Sequence, residues 1–163
     1  MTQEPFIDIY EACRRNDKTQ VEILLRENPA LLNTADHRGF TPLILAAYND
    51  AVEVASLLLQ QGVPIDEQDL AGNTALMGVC FKGYLELARL LIEAGANPNQ
   101  RNYSGATALT FAATFGQQAI AELLLQHGAD TELRDAHGKS PLDHAMIQEN
   151  HPMVNLIRHY KQA

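Results

Sequence analysis

Histidine, cysteine and paired carboxylates are the residues of this chain that could do chemistry, and their spacing decides whether they do. His137, His144 and His151 recur at seven-residue intervals, with His159 eight further on. On one continuous helix seven residues make about two turns, or roughly 10 Å, too far for a shared metal ion. They do not share one helix either, because His137 falls in a turn-forming stretch and Pro152 opens a new segment. There is no HExxH, no HxxxH and no Cys/His cluster, so neither a metal site nor a cofactor is expected. Nucleophilic chemistry lacks its motifs too, with no GxSxG elbow and no phosphate-cradling GxxxxGK(S/T) loop. Cys13 and Cys80 are too few for a disulfide framework and form no CxxC pair, which fits free thiols packed in a reducing compartment. Glu86 with Glu93, and Asp130 with Glu132, read as solvated helix faces and hairpin stems. No catalytic residue is expected, and the chain does not read as an enzyme.

Charge narrows the partners. The 163 residues carry a net charge of -8 from 12 basic and 20 acidic side chains. Such a chain repels phosphate backbones, and its densest basic cluster, Arg14, Arg15 and Lys18, is surrounded by Glu11, Asp17 and Glu22. Nucleic acid is therefore not an expected partner. Hydrophobic residues make up 46% and aromatics only 6%, with no Trp, so the core must be aliphatic and rich in Leu and Ala. The first six residues lack the basic start and apolar run of a secretory signal, and no apolar stretch approaches a membrane span. A cytoplasmic protein with no membrane contact is the expectation.

The elements that position these side chains follow from a repeat. Gly39, Gly72, Gly105 and Gly138 lie 33 residues apart, and so do Leu43, Leu76, Leu109 and Leu142. Gly62, Gly95 and Gly128 keep the interval, as do Leu57, Leu90, Leu123 and Leu156, alongside Leu58, Leu91, Leu124 and Ile157. Within one unit, Asp36-His37-Arg38-Gly39 is turn-forming. Thr41 followed by Pro42 predicts a capped helix start, since the hydroxyl can accept free backbone N–H groups and Pro has no N–H to waste. Leu43, Ala46 and Ala47 make a short apolar face, Asn49-Asp50 breaks it, and a second helix starts near Val52 with Val54, Leu57 and Leu58 on one side. Gly62 ends that helix, and an extended hairpin runs to the next unit.

The segments Gly39-Phe40-Thr41-Pro42-Leu43, Gly72-Asn73-Thr74-Ala75-Leu76, Gly105-Ala106-Thr107-Ala108-Leu109 and Gly138-Lys139-Ser140-Pro141-Leu142 resemble the ankyrin family. Leu57-Leu58 with Gly62, Leu90-Leu91 with Gly95-Ala96, and Leu123-Leu124 with Gly128-Ala129 complete the resemblance over nearly the whole chain. It implies an all-α solenoid of about five helix–turn–helix repeats with connecting β-hairpin loops, as one domain over 1–163. Full repeats are expected at about 36–68, 69–101 and 102–134, between an N-terminal cap at about 1–35 and a C-terminal cap at about 135–163. The caps predict helices near Ile7–Asn16 and Thr19–Asn28 at one end and near Met153–Tyr160 at the other. Where the family usually has His after Thr-Pro-Leu, this sequence has Ile44, Met77, Thr110 and Asp143, so the hydrogen bonds that this His makes between repeats are not expected here.

The resemblance further implies a partner protein held along the hairpin tips and the exposed side of the first helices, which form a concave groove. Carried over residue by residue, the tips contribute His37, Arg38, Phe40, Leu70, Asn73, Tyr103, Ser104, His137 and Lys139. The ends of the first helices contribute Tyr48, Asn49, Phe81, Lys82, Thr114, Phe115 and Ile147. Aromatics concentrate here, and stacked repeats would align Tyr48, Phe81 and Phe115 into a stripe. Contact with a partner and packing between repeats both fit those three side chains, whereas Phe111 reads as core and Leu70 and Tyr103 as exposed. Arg38, Lys82 and Lys139 add positive charge that suits an acidic segment. The expected function is a protein-binding scaffold or regulator, monomeric in isolation. The alternatives are a structural protein that self-associates through the same groove and, with less support, a small enzyme or a nucleic-acid binder.

Overall fold

The computed structural model describes residues 7–162, so the first six residues, read above for a leader, lie outside it. Ten α-helices follow in five pairs: α1 (Ile9–Arg14) with α2 (Lys18–Glu27), α3 (Pro42–Tyr48) with α4 (Val52–Gln60), α5 (Ala75–Lys82) with α6 (Leu85–Glu93), α7 (Ala108–Thr114) with α8 (Gln118–Gln126), and α9 (Pro141–Ile147) with α10 (His151–Lys161). The fold is the expected all-α solenoid. No β-strand forms among the described residues, and the connecting hairpins are tight turns.

Each first helix of the last four pairs starts where the sequence places a hydroxyl. The side chains of Thr41, Thr74, Thr107 and Ser140 accept the backbone N–H of Ile44, Met77, Thr110 and Asp143. Ala in place of Pro at the start of α5 and α7 leaves the cap intact. The expected His is replaced in two ways. Ile44 and Met77 are buried apolar side chains, whereas Thr110 and Asp143 return a hydrogen bond to the cap backbone and complete a capping box.

Between the two helices of a pair the chain reverses through one left-handed residue, at Asn16, Asp50, Gly83, Gly116 and Glu149. Asn and Asp tolerate this backbone better than most, and Glu149 holds it without that advantage.

Packing runs in two rows. First helices contact first helices, α1 to α3 to α5 to α7 to α9, and second helices contact second helices in the same order. Ala46, Ala47, Cys80, Ala112 and Ala113 are fully buried, and their small size allows close approach in the first row. Leu58, Leu91, Leu124 and Ile157 fill the space between the rows and are equally inaccessible.

The differences from expectation lie mainly at the two ends. Asp8 caps α1, which is therefore shorter than the apolar pattern suggests, and Asp17 caps α2, which starts one residue earlier. The last helix is longer than expected. The Asn150 side chain caps it and Pro152 sits in its first turn, so α10 begins at His151. A short 3-10 turn over Pro29–Asn33, capped by Asn28, occupies a stretch that the repeat pattern leaves undescribed. In the middle of the stack, Phe111 is half-buried against the core and not within it. No helix among the described residues is long and apolar enough to cross a membrane.

Candidate partner-binding face

One side chain shapes each hairpin tip. Oδ1 of Asp36 accepts the backbone N–H of Arg38 and Phe40, and Asp69 does the same for Ala71 and Asn73. Asn102 accepts from Ser104 and Ala106, and Asp135 from His137 and Lys139. These four residues are 33 apart, and each turns its polar group into its own tip. The tips then stack. Leu70 donates its N–H to Arg38 O, Tyr103 to Ala71 O and Ala136 to Ser104 O.

In two of these acceptors the second side-chain atom makes a hydrogen bond elsewhere, and in a third it meets a cation without one. Asp36 Oδ2 is buried 3.6 Å from Arg14 Nη2, Asn102 Nδ2 donates to Asn73 Oδ1, and Asp135 Oδ2 lies 2.7 Å from His144 Nε2. Below the tips a ladder of long donors repeats at the same interval. Gln68 Nε2 donates to Gly72 O and Arg101 O, and Arg101 to Gly105 O and Arg134 O. Arg134 Nη1 donates to Gly138 O and pairs with Asp143 at 3.0 Å.

On this frame the expected contact residues separate. Leu70 and Tyr103 are 72% and 71% exposed, the most open large apolar side chains described. His37, Arg38, Asn49, Lys82, Ser104, His137 and Ile147 are exposed, and Phe40, Asn73, Thr114 and Lys139 are half-buried. Three polar members are already committed inside the fold: Asn49 Nδ2 donates to Leu45 O, Thr114 Oγ1 to Thr110 O, and Asn73 Oδ1 accepts from Asn102.

The expected three-ring stripe divides. Phe81 meets Phe115 edge-on at 4.8 Å, and Phe115 stacks on Phe111 at 6.3 Å, while Phe81 and Phe115 stay exposed. Tyr48 lies elsewhere, half-buried, with its ring 5.8 Å from Phe40 and against Gly78. Gly78 occupies the position of Leu45 and Phe111 in the neighbouring pairs, and the missing side chain leaves the space that Tyr48 fills. Burial, with the nearby Asp69 carboxylate, pushes the Tyr48 phenol above its ordinary pKa. Arg38 lies 4.6 Å over the Phe40 ring, a cation–π contact.

Beside Phe111 and Phe115 lies a cavity of about 240 Å³, lined also by Ala106, Thr110, Thr114, Asp135 and His144. Neither cysteine lines it. Both are fully buried, and burial pushes the Cys13 thiol up to about 12 and the Cys80 thiol higher still. Neither can supply a thiolate near neutral pH.

Two family models match the sequence. The model for ankyrin repeats (3 copies) matches residues 9–102, and that for ankyrin repeats (many copies) matches residues 91–145. The chain belongs to the ankyrin-repeat family. No curated protein matches its sequence. Ankyrin repeats are in general protein–protein interaction modules, and the family is typically a non-enzymatic binding scaffold.

Two sets of residues in these ankyrin repeats fall outside what the apolar pattern reveals. The turn acceptors at Asp36, Asp69, Asn102 and Asp135 and the donors at Gln68, Arg101 and Arg134 both keep the 33-residue interval. The signal is therefore present, but it lies in polar residues, where a search guided by Leu and Gly does not look.

Asp135 makes the face sensitive to acid. Burial works to raise its pKa, but hydrogen bonds from His144, Lys139 N–H and His137 N–H outweigh burial and hold it below the ordinary value. A lowered native pKa adds stability in full above the ordinary Asp range of about 4, and that stability disappears as pH falls through the native value. Asp135→Asn keeps the turn, as Asn102 shows, and removes the titration. It is expected to cost about 1 kcal/mol at neutral pH and to flatten the acid limb of a circular-dichroism pH titration. An unchanged acid limb would assign the loss to Glu11, Asp36 and Asp143, whose pKa values are also lowered.

Proposed function

We propose that this ankyrin-repeat chain is a protein-binding scaffold or regulator that receives its partner on the hairpin tips and the ends of the first helices. The observation that carries this reading is the pair Leu70 and Tyr103, each more than two-thirds exposed on stacked tips of an aromatic-poor protein. Phe81 and Phe115 extend the apolar surface, and half-buried polar residues border it. Interfaces draw most of their energy from a few such large side chains ringed by polar ones. The reading includes a monomeric chain in the cytoplasm, a setting that the free thiols at Cys13 and Cys80 favour. It includes no nucleic acid, in keeping with the net charge of -8.

The test is affinity capture from lysate of the source cell, comparing wild type with a Leu70→Ala, Phe81→Ala, Tyr103→Ala, Phe115→Ala variant of unchanged helix content. Truncating one hot-spot side chain costs more than about 1 kcal/mol, so the combined variant is expected to lose its partner by at least about tenfold in affinity. A partner held equally by both proteins would move the interface to the second helices or the ends of the stack. Mass from light scattering that rises with concentration in wild type alone would favour self-association through this face.

A further inference from the structure

The cavity on this face has a built chemistry that describes its occupant. One wall is aromatic: Phe111 and Phe115 stack at the end of α7 and line it, and Phe81 meets Phe115 edge-on. At about 240 Å³ it falls short of the roughly 300–1,000 Å³ of small-molecule sites and is better matched to one large side chain.

The opposite wall contains a carboxylate, yet it offers no free negative charge. Asp135 spends Oδ1 on the N–H groups of His137 and Lys139 and Oδ2 on His144, and its side chain is 8% exposed. The neighbouring Asp143 caps Ser140 and pairs with Arg134. Lys82, beside Phe81, and Lys139, on the Asp135 tip, form no ion pair among the described residues. Of the carboxylates on the helix-to-helix turns, Asp50 and Glu149, neither lines the cavity. The lining of the cavity is thus mainly apolar, and the unpaired Lys82 and Lys139 hold the positions of its lining residues Phe115 and Ala106 in the repeats before and after, in a protein of net charge -8.

We infer that this cavity is the anchor subsite for a single apolar side chain of a partner segment, and that carboxylates flanking that side chain meet Lys82 and Lys139. The inference rests on the proposed binding face and adds the chemistry of the partner. Apolar burial supplies the affinity, and the two lysines select the acidic flanks and add salt dependence. A basic segment would bring like charge to both lysines, and a cationic anchor would find Asp135 already occupied.

The probes are fluorescein-labelled peptides with a central Phe, Leu, Ala or Lys and flanks of Glu, Ser or Lys, titrated onto the full chain by anisotropy. Phe or Leu with Glu flanks is expected to bind about tenfold or more tightly than Ala with Glu flanks or Phe with Lys flanks. Higher salt should shrink the flank preference and leave the anchor preference. Lys82→Glu with Lys139→Glu, neither of them a buried side chain, should reverse the preference for flanks. Amide and ring shifts in nuclear magnetic resonance locate the bound peptide. Binding on the Leu70 and Tyr103 tips without preference for flank or anchor would overturn the inference and leave the proposed face standing. Shifts confined to the second helices would overturn both. Absence of binding by every peptide would overturn the inference as well, while the capture experiment would still report on the face.

Discussion

Leu91→Ala is expected to cost about 2–5 kcal/mol of unfolding free energy, the range for deleting a buried Leu side chain whose cavity cannot collapse. Natural domains have only about 5–15 kcal/mol to lose, so the variant should unfold at much lower urea concentration. Leu91 lies on α6, in the middle of the second row, and is fully inaccessible. Its repeat equivalents Leu58 and Leu124 are equally buried on the adjoining helices, so the site is walled from both sides. Leu24, seven residues after the cap Asp17 as Leu91 is after Tyr84, holds the same position on α2, and the next residue, Leu25, is only half-buried. Leu25→Ala should therefore cost less, about 1–2 kcal/mol by the area it buries. Urea titrations of the two variants, read by circular dichroism, measure the difference. Equal losses would mean that Leu25 is covered as fully as Leu91, contrary to its half-buried position.

That comparison shows why the fold is legible. The interval of 33 repeats both the small residues of the first row and the buried leucines of the second helices, so a single apolar pattern specifies the last four pairs, while the first lies 34 residues before the second. The helix starts are legible because Thr41, Thr74, Thr107 and Ser140 carry their own capping chemistry.

The binding face is less legible, for a physical reason. Whether an aromatic side chain is exposed depends on what the adjoining repeat places beneath it. Tyr48 and Phe81 hold equivalent positions at the ends of their helices, yet Tyr48 folds over Gly78 while Phe81 turns outward to Phe115. The deciding residue is one repeat away, and its effect comes from a side chain that is absent. Polar candidates suffer likewise. Asn73 and Thr114 look available in sequence, but their polar atoms satisfy Asn102 and the α7 backbone. Leu70 and Tyr103 are legible as exposed because a tip residue after a turn has little above it.

Tyr103 also links stability to the proposed function, through a glycine one repeat before it. Gly72 has φ of +81°, and a Cβ built there would lie 2.6 Å from Tyr103 N and 2.7 Å from Tyr103 Cδ1. Gly62 has φ of +78° with nothing within 4 Å. The two positions share the left-handed backbone and differ in what stands beside it. Gly62→Ala should thus cost only the backbone penalty, about 1–2 kcal/mol. Gly72→Ala adds an overlap with the backbone of the next tip, which cannot rotate away as a flexible side chain could. Overpacking of that kind costs about 1–3 kcal/mol, so the total should approach about 2–5 kcal/mol. Relief requires the Tyr103 tip to lift, which breaks the bond from Tyr103 N–H to Ala71 O and moves the most exposed aromatic of the face. Urea titration gives the energetic difference between the variants, and the Tyr103 amide shift reports whether the tip has moved. Matching losses with an unmoved amide would mean that the tips are loosely stacked, and Tyr103 would then meet a partner as a mobile side chain. A larger loss at Gly72 with a displaced amide would mean that the stack itself presents Tyr103, so the repeat that stabilises the fold also preorganises the surface offered to the partner.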